Sequence, residues 1–567
     1  MSARHGLGRR IALGAVVATL GALGFDARPA RAGLGQGSLD DAGDAITAIE
    51  LDKARSLLAE LDANDGHVTL ERARLAMYEG DCDGAFALLR PELRKVDEKV
   101  FDWLAPIAEG CRRATAGTVI VDDAENGVRV RLQDDDDRAL VPLLVQTIVA
   151  HRKVLERDLG VVMPRPSRID LVRDQLTLSA MTGLGMEAAT TTGTVAIAKF
   201  GRVVMVSPRA MPGGYAFRDT LAHEFTHLAI SRGTRDRAPL WLQEGLAKRE
   251  ETRWRAHTPI DEASVPDAIA AVGLSKKLGL PLNKLGPSLA MLPSALHATV
   301  AYAEVNSFVE FVAGDRAAEP GAPSDPTVLP KLIVALAETH GESQDAVVDA
   351  ALKKVTGRDL AAWDAVWRPW VARKAGPTPK GIGLDEYEPP PEPGAPPRPK
   401  RAPKPAAERE KERERARALR LGELLLDRGH AKSALHELED VGAAWSTDPR
   451  ANAALARARL LAGDVTGAGV VIGGPLRRGM VEGDLGRWWA VRAGVLAKLA
   501  RPLDDVESAY FLAISHDPLS VPTACDWAAW AAGPEARSGE LGPRLVDVSR
   551  GLCEAARRLA ASELSKD

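Results

Sequence analysis

A chain of 567 residues exceeds what one hydrophobic core usually holds, so two or three domains are expected. With 45% hydrophobic and 27% charged residues it has the balance of a globular protein, which excludes a disordered or membrane-embedded chain. The formal net charge of -4 provides no basic field for gripping phosphate backbones, so nucleic acid is excluded as an expected partner.

At the amino terminus, Arg4, Arg9 and Arg10 precede an apolar run over residues 11–25, followed by Ala30-Arg31-Ala32. This reads as a secretory signal peptide over residues 1–32, ending in a small-x-small cleavage pattern. The other reading is a short anchor, but the run is shorter than a bilayer span, and no stable membrane span is expected after cleavage. The expected location is therefore the periplasm or the extracellular medium. Export allows thiols to pair, and Cys82 with Cys111 and Cys525 with Cys553 are the natural couples. Buried free thiols are the alternative, while neither couple has the close spacing of a zinc knuckle.

Residues 42–114 read as a helical domain. Its Gly80-Asp81-Cys82-Asp83-Gly84-Ala85 turn returns downstream as Gly463-Asp464-Val465-Thr466-Gly467-Ala468, and the step from Gly429 to Gly463 is 34 residues. That is the period of tetratricopeptide (TPR) repeats, so residues 42–114 and 408–567 both read as TPR-like helical domains. Such hairpins present a surface to a protein partner, or they serve only as helical packing domains.

Residues 117–374 change texture. Strands are expected at 118–122 and 127–132 around an Asn126-Gly127 turn, and again at 168–172, 192–198 and 202–206, with a helix over 139–159. Asp134 to Asp137 read as a solvated turn, since they lack the spaced ligands of a calcium loop. A proline-dense linker follows over residues 376–407, and then a run of alternating charges from Glu408.

The chemistry is concentrated in His223-Glu224-Phe225-Thr226-His227. Two histidines four apart stand one turn apart on one helix face, so both imidazoles can reach one zinc at about 2.0 to 2.1 Å. Glu224 lies beside them, placed to take a proton from water activated at the metal. Pro239-Leu240-Trp241-Leu242-Gln243-Glu244-Gly245-Leu246-Ala247 then supplies a carboxylate from a second helix, which completes a His223, His227, Glu244 ligand set.

With these motifs the chain resembles the gluzincin zinc metallopeptidases, most closely their aminopeptidase-N and peptidase-MA-like branches. The resemblance covers residues 118–374. It implies an α+β zincin-like metallopeptidase domain, a mixed sheet plus active-site helices, flanked by the α-helical TPR-like domains. It also implies Zn2+ as cofactor, a peptide or protein as substrate, and peptide-bond hydrolysis with Glu224 as the base. A strand before the zinc helix would pair with extended substrate, and residues 192–198 are the candidate. Tyr302 in Ala301-Tyr302-Ala303-Glu304 would stabilise the oxyanion; its other reading is a packing residue against Phe308. Glu244 follows His227 by 17 positions, and no Gly-x-Met-Glu-Asn segment is present to hold a substrate amino terminus. His151, His257, His297 and His340 stand without ligand spacing and read as surface or packing residues. Two rival functions remain open: an envelope protein-binding scaffold with an inactive zincin domain, or a zinc amidase acting on a non-protein or cell-wall substrate.

Overall fold

The computed structural model describes residues 36–557 except 187–193, 212–214, 256–263, 286–291, 293, 317–324, 377, 379–382, 385–386, 389–404, 446–447, 474–481, 518–519, 538–545, 547–548 and 555. The expected signal peptide, most of the expected proline-rich linker and His257 lie outside the described residues. The chain divides into two compact units, one built from residues 15–210 and 218–377, the other from residues 378–567 with two short pieces from earlier in the chain.

The first unit begins with helices α1 (Gln36–Thr47), α2 (Leu51–Ala59), α3 (Gly66–Glu79), α4 (Cys82–Leu88) and α5 (Glu98–Thr115). Asp65, Asp81 and Asp97 cap three of them, each accepting a hydrogen bond from a first-turn backbone N–H. Gly80 ends α3 at φ 79°, a left-handed cap that glycine adopts without steric cost. A disulfide joins Cys82 on α4 to Cys111 on α5.

Next comes a five-stranded sheet of β1 (Val119–Asp123), β2 (Val128–Leu132), β3 (Ser167–Val172), β4 (Ala196–Lys199) and β5 (Arg202–Val206), ordered β1-β2-β3-β5-β4. The β2-β3 and β3-β5 pairs are parallel and both outer pairs antiparallel, so the sheet is mixed. β5 is buried along its whole length, as its Val-rich sequence requires. Phe200 and Gly201 close the β4-β5 hairpin with φ 50° and 66°, the two-residue turn that suits strand twist. Helix α6 (Val141–Leu159) connects β2 to β3, and α7 (Gln175–Thr182) follows β3.

Three arginines fasten the early helices to the sheet. Arg131 Nη2, Arg168 Nη1 and Arg202 Nη1 donate to the carbonyls of Gly80, Tyr78 and Met77 at the C-terminal end of α3, where intrahelical donors run out. Arg202 is fully buried, donates also to Cys111 Sγ at 3.1 Å, and pairs with Asp170 at 3.1 Å. The acidic run after β2 is only partly solvated: Asp137 is buried, accepting from Ser207 Oγ at 2.7 Å and from Arg209 at 2.8 Å. The expectation of a wholly solvated turn fails there because Arg209, beyond β5, brings a charge partner that no local pattern announces.

The unit continues with α8 (Phe217–Thr234), α9 (Leu240–Glu250), α10 (Ser264–Ser275), α11 (Ala295–Val312), α12 (Val328–Glu338), α13 (Gln344–Thr356) and α14 (Leu360–Ala372). Phe308 of α11 packs edge-on against Trp241 of α9 and Trp367 of α14.

The second unit is helical: α15 (Ala406–Asp427), α16 (Ala431–Ala444), α17 (Pro449–Leu461), α18 (Val465–Ile472), α19 (Glu482–Lys498), α20 (Leu503–His516) and α21 (Val521–Ala531). Its core includes Leu426, Leu438, Val441, Leu455 and Ala458. A disulfide joins Cys525 on α21 to Cys553. The repeated Gly-Asp turn has the same local form in both units. Asp81 accepts from Gly84 N and Asp464 from Gly467 N, both at 2.8 Å, after left-handed Gly80 and Gly463. Among the described residues no helix is long and apolar enough to cross a membrane.

Candidate metal centre

Helix α8 is buried on every side from Leu221 to Ile230, so its polar residues face protein rather than water. An ionisable group in that setting must be paired, neutralised or bound to a metal. Nε2 of His223 and Nε2 of His227 lie 3.2 Å apart. Glu244 Oε2 on α9 stands 3.5 Å from the first and 3.8 Å from the second. His223, His227 and Glu244 form the one group of three metal-capable side chains among the described residues, and all three are buried. A tetrahedral ion bound at about 2.0 to 2.1 Å separates its ligand atoms by roughly 3.3 Å, which matches this triangle. The residues therefore fit a divalent metal ion.

Charge tells the same story. Burial disfavours a charged His223, yet its contacts with Glu244 and Glu251 raise its pKa to about 9. Burial lowers His227 to about 4, against the pull of Glu244. The surrounding carboxylates thus favour a positive charge at His223, the kind of charge that a cation bound to the triad would supply.

Glu224 stands beside the triad without joining it. Its Oε2 accepts from the backbone N–H of Ala198 at 2.6 Å, while its Oε1 is buried with no hydrogen-bond partner. Burial raises its pKa to about 8, with His223 and the Ala198 N–H acting in the opposite sense and Glu244 reinforcing it. Ala198 belongs to edge strand β4, whose other side pairs with β5. The expected strand at 192–198 is thus shifted: β4 is Ala196–Lys199, and Thr192 and Gly193 lie outside the described residues. Tyr302 on α11 is buried and feels the charges of Glu244, Glu224 and Glu251, which places it at the same cluster. Burial, with those three carboxylates adding, raises its pKa well above the ordinary tyrosine value.

The ligand-bearing helices are pinned from several directions. Asp219 at the start of α8 accepts from Trp254 Nε1 at 3.0 Å and pairs with Arg255 at 2.8 Å, tying α8 to the turn after α9. Arg249 of α9 pairs with Asp315 beyond α11, and Arg253 with Asp158 of α6 at 2.8 Å. A Cβ on Gly245 would stand 2.5 Å from Val309 Cγ2 and 2.7 Å from Val305 O, so α9 meets α11 at backbone distance just beside Glu244.

Two residues absent from the sequence reading belong here. Glu251, just past the end of α9, accepts at Oε2 from His223 Nδ1 at 3.0 Å, since a carboxylate can only accept. Lys248 donates to that same oxygen at 2.6 Å, and its Nζ lies 5.9 Å from the Tyr302 ring centroid. Glu244, Lys248 and Glu251 are spaced i, i+4, i+7, the signal of one helix face that could have found them. His151 is buried beneath α8 and bonds Thr226 Oγ1 at 2.8 Å, a packing residue as read from sequence. No protein-family model matches this chain, and no curated protein matches its sequence.

Proposed function

We propose that the chain is an exported zinc-dependent metallopeptidase of the gluzincin type, with a zincin-like α+β domain and TPR-like helical units. The observation that carries the reading is the convergence of three buried ligand atoms with a fourth, non-ligating carboxylate whose Oε1 has no partner. His223, His227 and Glu244 would hold the zinc, and the edge of β4 would take an extended peptide. Zinc bound there would supply a Lewis acid for the scissile carbonyl and acidify water. Glu224, held by the Ala198 N–H, receives the proton from the attacking water and delivers it to the leaving nitrogen. Burial of Glu224 favours its protonated form, which helps it hold the proton it takes from water. Tyr302 would donate to the developing oxyanion. Export is supported by the two disulfides, which form in oxidising compartments.

The test is hydrolysis of an unstructured protein by the purified chain, with and without chelator, alongside elemental analysis. Chelation abolishes cleavage, and Glu224→Gln keeps its zinc while losing about 10²–10⁴-fold in turnover. Undiminished turnover in that variant, or a purified protein without transition metal, overturns the reading. Metal-replete protein that spares peptides but opens a cell-wall crosslink would favour a zinc amidase, and metal without any hydrolysis would favour a binding scaffold.

A further inference from the structure

The inference rests on the metal-binding reading above. Glu251 Oε2 serves two donors at once, His223 Nδ1 at 3.0 Å and Lys248 Nζ at 2.6 Å. An imidazole that donates through Nδ1 has its tautomer fixed, with the lone pair of Nε2 left for a ligand partner, and its ring orientation set by the acceptor. The acceptor itself needs holding. Glu251 lies one residue past α9 and its side chain is 21% exposed, so water competes for it. Lys248, one turn earlier on the well-formed helix, supplies the missing restraint, and its Nζ lies 5.9 Å from the Tyr302 ring centroid.

We propose that Lys248 is a positioning residue for the metal: it clamps Glu251 onto His223 so that Nε2 stays turned toward Glu244, without touching the metal or the substrate. Two effects oppose each other when the lysine is removed. Its positive charge repels a divalent ion, so loss of charge alone would tighten binding. Lys248 and Glu251 together present no net charge, however, and the loosened carboxylate lets the ring rotate, so geometry dominates and the metal is held less firmly.

The experiment compares zinc dissociation constants, measured by chelator competition, for the full chain and for Lys248→Met, Lys248→Arg, Glu251→Gln and the Lys248→Met/Glu251→Gln double variant. The visible spectrum of the cobalt-loaded proteins and the melting of the metal-free proteins are recorded in parallel. Lys248→Met weakens zinc about ten-fold, the effect of losing an outer partner of a ligand. Lys248→Arg restores it to within about three-fold, and the cobalt spectrum of the Met variant shifts while metal-free melting holds. The double variant binds no more weakly than Glu251→Gln alone, because both changes remove one linkage. Zinc affinity in Lys248→Met equal to or tighter than that of the parent chain, or additive losses in the double variant, overturns the proposal and leaves the metal-binding reading intact. A parent chain that binds no metal overturns both.

Discussion

His151 carries no charge in the folded protein, because burial lowers its pKa to about 3 while an unfolded histidine titrates near 6.5. Above about pH 6.5 the ring is neutral folded and unfolded, and the group leaves stability unchanged. As pH falls from there toward 3, only the unfolded chain takes up the proton, so stability is lost at about 1.4 kcal/mol per pH unit. His151→Gln is therefore expected to flatten the fall in unfolding free energy between pH 6 and 4 by about that slope, read from urea unfolding at a series of pH values. Residue chemistry is the level at which the sequence is most legible. A divalent site demands particular side chains at i and i+4, and His223, His227 and Glu244 meet in space as that demand requires. The Ala198 N–H that holds Glu224 is illegible, because every residue has an amide and only the sheet's edge aims this one. Glu251 and Lys248 lie between these cases: their helical spacing is visible, but their meaning depends on where α9 ends.

Among the elements, α9 meets α11 at backbone distance, and two glycines give a controlled comparison. At Gly245 an added Cβ would meet the Val305 carbonyl oxygen, which moves only with its helix, whereas at Gly233 it would meet the side-chain methyl groups of Ile333 and Val161. Gly245→Ala is expected to cost about 1–3 kcal/mol of stability and, on the proposed reading of the neighbouring Glu244 as a ligand, also to weaken zinc. Gly233→Ala should cost less and leave zinc affinity unchanged; equal zinc affinities in the two variants would separate helix contact from ligand placement. Element boundaries follow from sequence unevenly. The Val-rich β5 is read at its true limits, 202–206, because a fully buried strand leaves a continuous apolar run. β4 is displaced from its expected span because Ala196 and Ala198 carry no strand preference, and its pairing with β5 decides its extent. Helix α8 starts at Phe217, ahead of the His-Glu-x-x-His pattern it carries.

Across the whole molecule each compact unit carries one disulfide, Cys82–Cys111 in the first and Cys525–Cys553 in the second. Closing a loop with a sequence separation of 28 removes about 3.6 kcal/mol of chain entropy from the unfolded state. Replacing Cys525 and Cys553 together by serine is thus expected to lower the unfolding transition of the second unit while the zinc affinity proposed for the first stays at its parent value; calorimetry with zinc titration reads both. The cysteine couples are legible from sequence, since spacing and export point to them. The membership of the first five helices is not. They read as a domain of their own, yet they lie in one compact unit with the sheet, joined by contacts such as Arg202 with Met77 that span more than a hundred residues. Arg131 and Arg202 keep Asp170 within the sheet, but the carbonyl acceptors of Arg131, Arg168 and Arg202 all lie at the end of α3. A gene trimmed to begin at codon 118 would strip those acceptors from a desolvated cationic row. Its product should collect in inclusion bodies, and anyone seeking a smaller soluble fragment would do better to shorten the chain from its other end.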